Sequence, residues 1–401
     1  MELPDGKLLV PYSPDNNLIT HKAILLPSEA TEYGSESELR ERVRAFIHRY
    51  VDLPEDFEEV AAHYASFSWR YDAYPDLPYL RVLGDYGSGK SRFLRTVGSI
   101  SYRPIFASGA STVSPLFRIL DAVGGTLVLD EGDFRFSDEK AEIVKILNNG
   151  NSVGFPVLRT DATPSGEFNP RAFSVYGPKL VATRRHFDDP ALESRCITAT
   201  MGGGVRPDIP HNLPPAFEEE ALALRNQLLT YRLRSASRRD AADPESLHVL
   251  EPRIAQVFSS LLASVGDPAA RSRLLSFARQ ASANVSRMRE DSVEADVVGT
   301  ALSLRVLFPG AVPVKAIAEG VSAESGMPLS PRAAGAVLRR LGLSPRKRQG
   351  NYVLPAEEIP RLVELGKRYR VADEPVDVMD VGDVEEGGAQ DEERRIQGLF
   401  S

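Results

Sequence analysis

The sequence predicts an α/β fold built on a parallel sheet, with an N-terminal helical segment before it and a helical region and a small C-terminal unit after it. Between Pro78 and about Met201, short apolar strands alternate with helical patterns, which is typical of parallel sheets. The first strand runs directly into a glycine-rich segment, and a later one ends in two acidic residues. These observations predict a core whose polar side chains gather at the ends of buried strands.

The charge of the chain is unevenly distributed. The chain has 401 residues, a length that allows two or three domains. Its formal net charge is −8. Residues 373–395 hold ten of the 56 acidic residues but only two of the 48 basic ones, so the rest of the chain is neutral. Because a neutral chain can still carry a basic face, net charge does not exclude a nucleic-acid partner.

No window approaches the roughly 20 consecutive apolar residues of a membrane helix, and the N-terminal residues lack the layout of a signal peptide. The single cysteine, Cys196, excludes an internal disulfide and a zinc site built from cysteines alone. We therefore expect a cytoplasmic protein without a membrane partner.

The glycine-rich segment GDYGSGKS satisfies the pattern G-x-x-x-x-G-K-[ST], between the apolar strand PYLRVL and a helix over 91–100. Its glycines let backbone N–H groups face phosphate oxygens, and the helix N-terminus adds partial positive charge there. We therefore predict an ATP-binding P-loop, in which Lys90 contacts the β- and γ-phosphates and the Ser91 hydroxyl binds Mg²⁺. The predicted loop residues are Gly84, Asp85, Tyr86, Gly87, Ser88, Gly89, Lys90 and Ser91.

The segment GTLVLDE, about forty residues after the P-loop, is the second half of the predicted site. Its apolar strand brings Asp130 to the same edge of the sheet, where a carboxylate can hold the magnesium shell. Glu131 is then placed to polarise a water molecule against the γ-phosphate. The alternative is a buried strand that simply ends in acidic turn residues.

Two later residues suggest a site shared between subunits. Thr183 ends the strand KLVAT and is placed to orient the attacking water, although it is also compatible with an ordinary strand end. Arg195 lies just before the next strand, where an arginine supplied across an interface stabilises charge on the transferring phosphoryl group. The alternative for Arg195 is a structural or exposed arginine.

The order and spacing of these motifs resemble an AAA+ ATPase. More closely, GSGKSRFL, LFRILD, TLVLDEGDF, LNNGNSVGFPVLR, FSVYGPKLVA and ALESRCITATM resemble the helicase-like ATPases of phages, plasmids and integrated elements, relatives of superfamily III and minichromosome maintenance (MCM) helicases. The resemblance covers about residues 37–205. It implies a ring, typically a hexamer, in which Arg195 acts on the neighbour's nucleotide. The chain departs from this family where Thr183 replaces the commoner Asn, and residues 1–36 are too short for a primase or origin-binding domain.

The resemblance also points to further contacts. In related helicases, a hairpin at the place of residues 154–176 touches DNA in the ring channel, which makes Arg159 and Arg171 candidate cations for single-stranded DNA. A surface hairpin with incidental arginines fits the sequence equally well. An arginine in the helical region often reaches back to the γ-phosphate in AAA+ proteins, and Arg253 is the candidate here. Other arginines compete for that role, namely Arg225, Arg232 and Arg234.

The last ordered segment is predicted to be a winged helix. Ser330 and Pro331 have the residue types of an N-cap and first helical position, and they begin the helix that would enter a major groove of duplex DNA. A basic cluster on this helix and the following wing predicts phosphate contacts: Arg332, Arg339, Arg340, Arg346, Lys347 and Arg348. A winged helix that binds protein is the alternative.

The expected organisation has five parts: an N-terminal arm at 1–36, the AAA+ core with leading helices at 37–215, a helical region at 216–305, the winged helix at 306–371 and an acidic, disordered tail at 372–401. The leading hypothesis is a ring-forming replicative DNA helicase of a mobile genetic element, with ATP and Mg²⁺. One alternative is an ATP-controlled initiator or regulator that binds DNA without translocating. A second is an ATPase that remodels protein.

Overall fold

The computed structural model describes residues 12–13, 15–108, 112–130, 138–162, 168–202, 206–236, 238, 244–290, 292–326, 328–348 and 350–371. They form two compact units, Met1–Ser282 and Ala283–Ser401. Glu131, the hairpin turn at 163–167 and the acidic tail at 372–401 lie outside the described residues, so what the sequence predicts for them stays a prediction.

The described part of the first unit contains eleven α-helices, the last of which crosses the boundary into the second unit. They are α1 (Asn17–Thr20), α2 (Glu36–Tyr50), α3 (Glu55–Ser68), α4 (Lys90–Ile100), α5 (Val113–Val123), α6 (Asp138–Asn149), α7 (Pro190–Glu193), α8 (Ala216–Ser235), α9 (Pro244–His248), α10 (Pro252–Ala263) and α11 (Pro268–Glu290). The strands are β1 (Tyr79–Leu83), β2 (Ile105–Ser108), β3 (Leu127–Asp130), β4 (Val157–Ala162), β5 (Phe168–Phe173), β6 (Lys179–Thr183) and β7 (Cys196–Thr200).

A five-stranded sheet in the order β2-β3-β6-β1-β7 forms the centre of the first unit, and all of its pairs are parallel. Every residue of β1 and β6 is buried, as expected for a parallel sheet covered on both faces. The predicted α/β fold with a parallel sheet is therefore confirmed. β2 was not predicted, because four residues over 105–108 are too short to show a pattern.

The leading helices α2 and α3 pack against each other and against α4. Ser35 and Glu38 form the predicted capping box at the start of α2, with Ser35 N donating to Glu38 Oε2 at 2.8 Å. Tyr64 of α3 is fully buried, and its hydroxyl donates to Pro78 O at 2.9 Å, just ahead of β1. Trp69 Nε1 donates to Ile100 O at 2.9 Å, which ties the end of α3 to the end of the helix after the P-loop.

The predicted hairpin is present as the antiparallel pair β4–β5. Val157 pairs with Phe173 and Arg159 pairs with Arg171, so these four side chains share one face of the ribbon. Val157 and Phe173 are buried on that face. Leu158, on the other face, is 66% exposed.

The second unit contains helices around a small antiparallel sheet in the order β8-β10-β9. Its elements are α12 (Val293–Leu307), β8 (Ala311–Pro313), α13 (Val314–Ser325), α14 (Pro331–Arg340), β9 (Arg346–Arg348), β10 (Asn351–Pro355) and α15 (Ile359–Tyr369). Ser330 is the N-cap of α14, and its side chain accepts from Ala333 N at 3.2 Å. The predicted start of this helix is confirmed.

Candidate active site

The predicted P-loop, residues 84–91, joins β1 to α4, as the sequence predicts. Gly89 is the N-cap of α4 in a left-handed conformation with φ of 90°, and Gly87 also has a positive φ of 78°. A Cβ on Gly84 would lie 2.4 Å from Ser88 Oγ. A side chain at these positions would be strained or would clash, so the loop's curl depends on its glycines.

The ammonium group of Lys90 lies inside the curl of the P-loop. Its Nζ donates to Gly84 O at 2.7 Å and to Asp85 O at 2.6 Å. Phosphate oxygens of a nucleotide would compete with these two carbonyls for the same ammonium. The Ser91 side chain follows at the first turn of α4 and is exposed.

Three neighbouring strands bring the predicted polar residues to one edge of the sheet. β6 lies between β1 and β3, so Thr183 at its end lies between the P-loop and Asp130. The backbone confirms the adjacency of the first two, because Gly84 N donates to Thr183 O at 3.3 Å. Asp130 is the last residue of β3 and is partly buried. Glu131, which follows it, lies outside the described residues.

The hydroxyl of Thr183 is buried and lacks a hydrogen-bond partner among the residues that the structure describes. The side chain is 1% exposed. A buried hydroxyl without a partner costs about 1–3 kcal/mol of stability. At a predicted active site, this is the arrangement expected of a hydroxyl whose partner is a substrate or a water molecule.

Arg195 lies at the opposite edge of the sheet from the P-loop. Its carbonyl accepts from Tyr79 N at 2.9 Å, at the start of β1. Its guanidinium donates from Nε to Asn151 Oδ1 at 2.8 Å and from Nη1 to Asn148 Oδ1 at 2.9 Å. The length of β1, roughly 16 Å at about 3.3 Å per residue, separates Arg195 from the P-loop of its own chain.

The segment around Asn151 is fixed by backbone bonds. Leu77 N donates to Asn151 O at 2.7 Å, and Val153 N donates to Pro75 O at 3.0 Å. The arginine is therefore held by a rigid amide cradle at the edge where β1 begins.

Arg253 lies beside Arg195. Its Nε donates to Ser194 Oγ at 2.9 Å. Burial, and then the nearby charge of Arg195, lower the pKa of Arg253. The structure thus places Arg253 at the edge away from its own P-loop, so its predicted contact with nucleotide stays a prediction, restricted to the nucleotide of another subunit.

The competing arginines of the helical region have partners elsewhere. Arg225 Nη1 donates to Ser99 O at 2.7 Å, Arg232 Nη2 donates to Asp72 Oδ2 at 2.6 Å, and Arg234 Nη2 donates to Glu32 Oε1 at 2.6 Å. These contacts join α8 to α4, to the segment after α3 and to the segment before α2, which indicates a structural role for all three arginines.

The hairpin arginines face aromatic rings of the core. Arg159 Nη2 donates to Glu142 Oε2 at 2.8 Å, and its Cζ lies 5.3 Å from the ring centroid of Phe117. The Arg171 Cζ lies 5.3 Å from the ring of Phe173. Arg118, on α5, lies over both rings, at 5.6 and 5.0 Å. The predicted contact of Arg159 and Arg171 with DNA stays a prediction.

All six basic residues predicted on the second unit are exposed: Arg332, Arg339, Arg340, Arg346, Lys347 and Arg348. Two of them have acidic partners within the unit. Arg346 lies 3.0 Å from Glu357, and Arg340 pairs with Glu294. Lys347 pairs across the strands with Tyr352, which is 54% exposed.

Three residues of this region were not predicted from the sequence: Asn148 and Asn151, which hold Arg195, and Arg81, which lies buried in β1. A signal for the first two exists in the asparagine-rich segment LNNGNS. The signal for Arg81 is a charged residue inside the apolar strand YLRVL.

Across the described ranges, no cluster of three or more His, Cys, Asp or Glu side chains could hold a metal ion by itself. A magnesium ion that depends on phosphate oxygens needs only one or two protein ligands. Nor does any described helix have the length and apolar character needed to cross a membrane.

No protein-family model matches the chain, and no curated protein matches it. Among solved structures, the C-terminal region of NrS-1 is similar with a TM-score of 0.41 and 9% identity, over 82% of this chain and 78% of that chain. A full-length MCM homolog from Methanopyrus kandleri is similar with a TM-score of 0.36 and 14% identity, over 63% of this chain and 62% of that chain. The JCV helicase is similar with a TM-score of 0.27 and 14% identity, over 64% of each chain. These TM-scores all lie below 0.5, so the similarities establish no shared activity.

Proposed function

We propose that this chain is a magnesium-dependent ATPase of the AAA+ type that assembles into a ring and acts on DNA. The observation that carries the proposal is the division of polar residues between two edges of one parallel sheet. The P-loop, Thr183 and Asp130 share one edge, and Arg195 and Arg253 share the other.

The first edge fits ATP. A Cβ on Gly84 would collide with the side chain of Ser88, and Lys90 donates to loop carbonyls that phosphate oxygens can replace. Lys90 would bind the β- and γ-phosphates, while Ser91 and Asp130 would hold Mg²⁺. The magnesium ion, when bound, offsets negative charge on the phosphates. Glu131 would polarise the attacking water, and the Thr183 hydroxyl would orient it.

The arginines at the second edge are suited to act on the nucleotide of a neighbouring subunit. Because Arg195 is too far from its own P-loop, its guanidinium can act on nucleotide only when another subunit brings a site to it. An arginine in this position stabilises charge on the transferring phosphoryl group. Arg253 lies next to it and would reach the same nucleotide. This arrangement, together with the resemblance to AAA+ proteins, favours a ring, which we propose to be a hexamer.

Mixing two inactive variants tests the shared site. Lys90→Ala disables the P-loop but leaves Arg195, and Arg195→Ala leaves the P-loop but removes the arginine. We expect each variant alone to lose ATP hydrolysis and the mixture to regain part of it, because some interfaces then combine an intact P-loop with an intact arginine. An active Lys90→Ala variant, or a mixture without regained activity, would contradict the proposal.

The DNA partner is proposed from the hairpin and from the second unit, whose helix α14 and strands β9 and β10 we assign to a winged helix. With the family resemblance, these features favour a replicative helicase of a mobile genetic element. The test is the ATPase rate against single-stranded and duplex DNA, for the wild type and for Arg159→Ala/Arg171→Ala. Single strands should stimulate the wild type, and the double variant should lose that stimulation. No stimulation by any DNA would instead support an ATPase that remodels protein.

The exposed basic residues of the second unit favour one other candidate function, an ATP-controlled initiator or regulator that binds duplex DNA without translocating. This function needs the basic surface of α14 and β9 but not the hairpin. Stimulation by duplex DNA alone, unchanged in the hairpin variant, would support it. ATP-dependent strand separation would exclude it.

A further inference from the structure

Arg81 lies in the middle of β1, and its side chain is fully buried at 0% exposure. Both terminal nitrogens of its guanidinium donate to the carboxylate of Glu193, Nη1 to Oε2 at 2.6 Å and Nη2 to Oε1. Its Nε donates to Thr198 Oγ1 on β7 at 3.1 Å, and its Cζ lies 4.9 Å from the ring centroid of Phe187. The guanidinium therefore has one fixed orientation.

Glu193 connects three parts of the chain. It is the last residue of α7, two positions before Arg195. Its Oε2 also accepts from Phe187 N at 2.9 Å, and its Oε1 lies 2.7 Å from His186 Nδ1, in the loop after β6. Burial raises the pKa of Glu193, but hydrogen bonds from Arg81 and His186 outweigh it and leave the pKa lowered. Glu193 is therefore a carboxylate at neutral pH.

The ion pair is an expensive way to stabilise a sheet, because Arg81 is fully buried, although Glu193 is 29% exposed. Moving the charge of Arg81 out of water costs several kcal/mol, and apolar residues of similar volume often stabilise a fold as well or better. The pair does fix a relative orientation, because a bidentate arginine–carboxylate contact sets both the distance and the angle between the two groups. Here it fixes α7, and with it the turn that carries Arg195, against the strand that leads into the P-loop.

We propose that Arg81 is a positioning residue, which holds the turn of Arg195 in place through Glu193 and so connects the P-loop strand of each subunit to the arginine that it offers to its neighbour. This inference rests on the proposed function. It assigns Arg81 no contact with nucleotide. The cradle of Asn148 and Asn151 holds the guanidinium of Arg195, and the Arg81–Glu193 pair holds the backbone from which it extends.

The main test replaces both charges at once, in Arg81→Met/Glu193→Met, because removing Glu193 alone would leave Arg81 buried without its carboxylate. We expect nucleotide affinity and thermal stability close to the wild type. The kcat should fall by about tenfold to a hundredfold, because a displacement of about 1 Å at a reacting group has an effect of that size. Arg232→Met/Asp72→Met is the matched control, a paired arginine that joins α8 to the segment after α3, and it should keep kcat.

Mixing experiments distinguish a positioning role from a purely structural one. Mixing in the Lys90→Ala chain should restore ATP hydrolysis to the double variant, since that chain supplies a correctly held Arg195 to the double variant's intact P-loop. Adding the Arg195→Ala chain should not restore it, since neither chain then supplies a correctly held Arg195. Failure of Lys90→Ala to restore activity would show that the pair supports its own P-loop instead, and an unchanged kcat would show that it positions nothing.

The conservative change Arg81→Lys covers the case in which the double variant does not fold. It keeps the charge but loses the bidentate geometry, so we expect a lower kcat at unchanged nucleotide affinity, again restored by Lys90→Ala. An unchanged kcat in this variant would overturn the inference. The proposed function fails separately, if Arg195→Ala itself hydrolyses ATP at the wild-type rate.

Discussion

The backbone nitrogen of Gly84 donates to the carbonyl oxygen of Thr183 at 3.3 Å, which joins the first residue of the P-loop to the end of β6. Thr183 also carries a buried hydroxyl that lacks a partner among the described residues. Thr126 carries a second such hydroxyl, at the start of β3 and so at the other edge of the sheet. The two threonines form a matched pair that differs in distance from the P-loop.

Replacing Thr183 by Val should separate catalysis from stability. The change keeps the shape of the side chain and removes a buried unpaired hydroxyl, so thermal stability should be unchanged or slightly higher. The kcat for ATP should fall by up to about a hundredfold if the hydroxyl orients the attacking water, because a misplacement of about 1 Å at a reacting group has an effect of that size. ATPase assays and thermal denaturation measure the two effects.

Thr126→Val is the control for that experiment. It removes an equivalent hydroxyl far from the P-loop, and kcat should stay at the wild-type value. Equal rates for Thr183→Val and the wild type would remove Thr183 from the catalytic proposal. Equal losses in both valine variants would point to the sheet rather than to the site.

The sequence predicts the core closely because its strands and caps are local patterns. Lys179–Thr183 and Cys196–Thr200 are apolar runs long enough to identify, and they match the structure at both ends. β2 escapes prediction because Ile105–Ser108 is short and pairs in parallel with a strand about twenty residues away. Its existence depends on tertiary contacts, which no local pattern records.

The same distinction holds for the candidate site, where a contiguous motif is predictable and tertiary contacts are not. The P-loop is contiguous in sequence, so its pattern predicts its shape. The position of Arg253 depends on how α10 packs against the turn of Ser194, and that packing brings together residues 59 positions apart. The Arg81–Glu193 pair spans 112 positions and likewise shows no sequence signal beyond a charge in an apolar strand.

Glu142 should modulate DNA binding by the hairpin. Its carboxylate accepts from Arg159 Nη2 at 2.8 Å and so offsets the charge proposed to contact phosphates. Glu142→Gln should release that charge and strengthen binding to single-stranded DNA by a few fold, with a steeper dependence on salt. Fluorescence anisotropy at several salt concentrations measures both effects.

The control for that measurement is Glu142→Gln combined with Arg159→Ala, which should bind more weakly than Glu142→Gln alone. If both variants bind single-stranded DNA as the wild type does, the Arg159 side of the hairpin is not a DNA contact. The pair is partly exposed, so its loss should change stability by less than about 1 kcal/mol.

Lys347 and Arg348 on β9 should contact duplex DNA through its phosphates. Both side chains are exposed on the strand that pairs with β10. The double variant Lys347→Ala/Arg348→Ala should bind all duplex sequences more weakly and lower the salt slope by about two, one unit for each phosphate that is no longer neutralised. Lys315→Ala is the control, since that exposed lysine of α13 already pairs with Glu319 at 3.5 Å. A double variant with the control's slope would exclude β9 from the DNA interface.

Glu59 should make the stability of the first unit depend on pH. Its side chain is 8% exposed. A hydrogen bond from His63 is the main cause that lowers the pKa of Glu59 to about 2, against the opposing effect of burial and with further help from Arg273. Because the folded pKa lies below the ordinary value of 4.5, the stabilisation is fully present above about pH 4.5 and is lost as the pH falls towards 2.

The variant Glu59→Gln isolates this effect. At pH 6 it should unfold with a free energy about 1–3 kcal/mol lower than the wild type, because it leaves the buried His63 without its carboxylate partner, while Arg273 is half exposed to water. The difference between the two proteins should shrink as the pH falls from 4.5 towards 3, in urea titrations at each pH. Glu219→Gln, at an exposed position of α8, is the control and should show little difference at any pH. A constant difference between Glu59→Gln and the wild type would show that the carboxylate's charge does not cause the stabilisation.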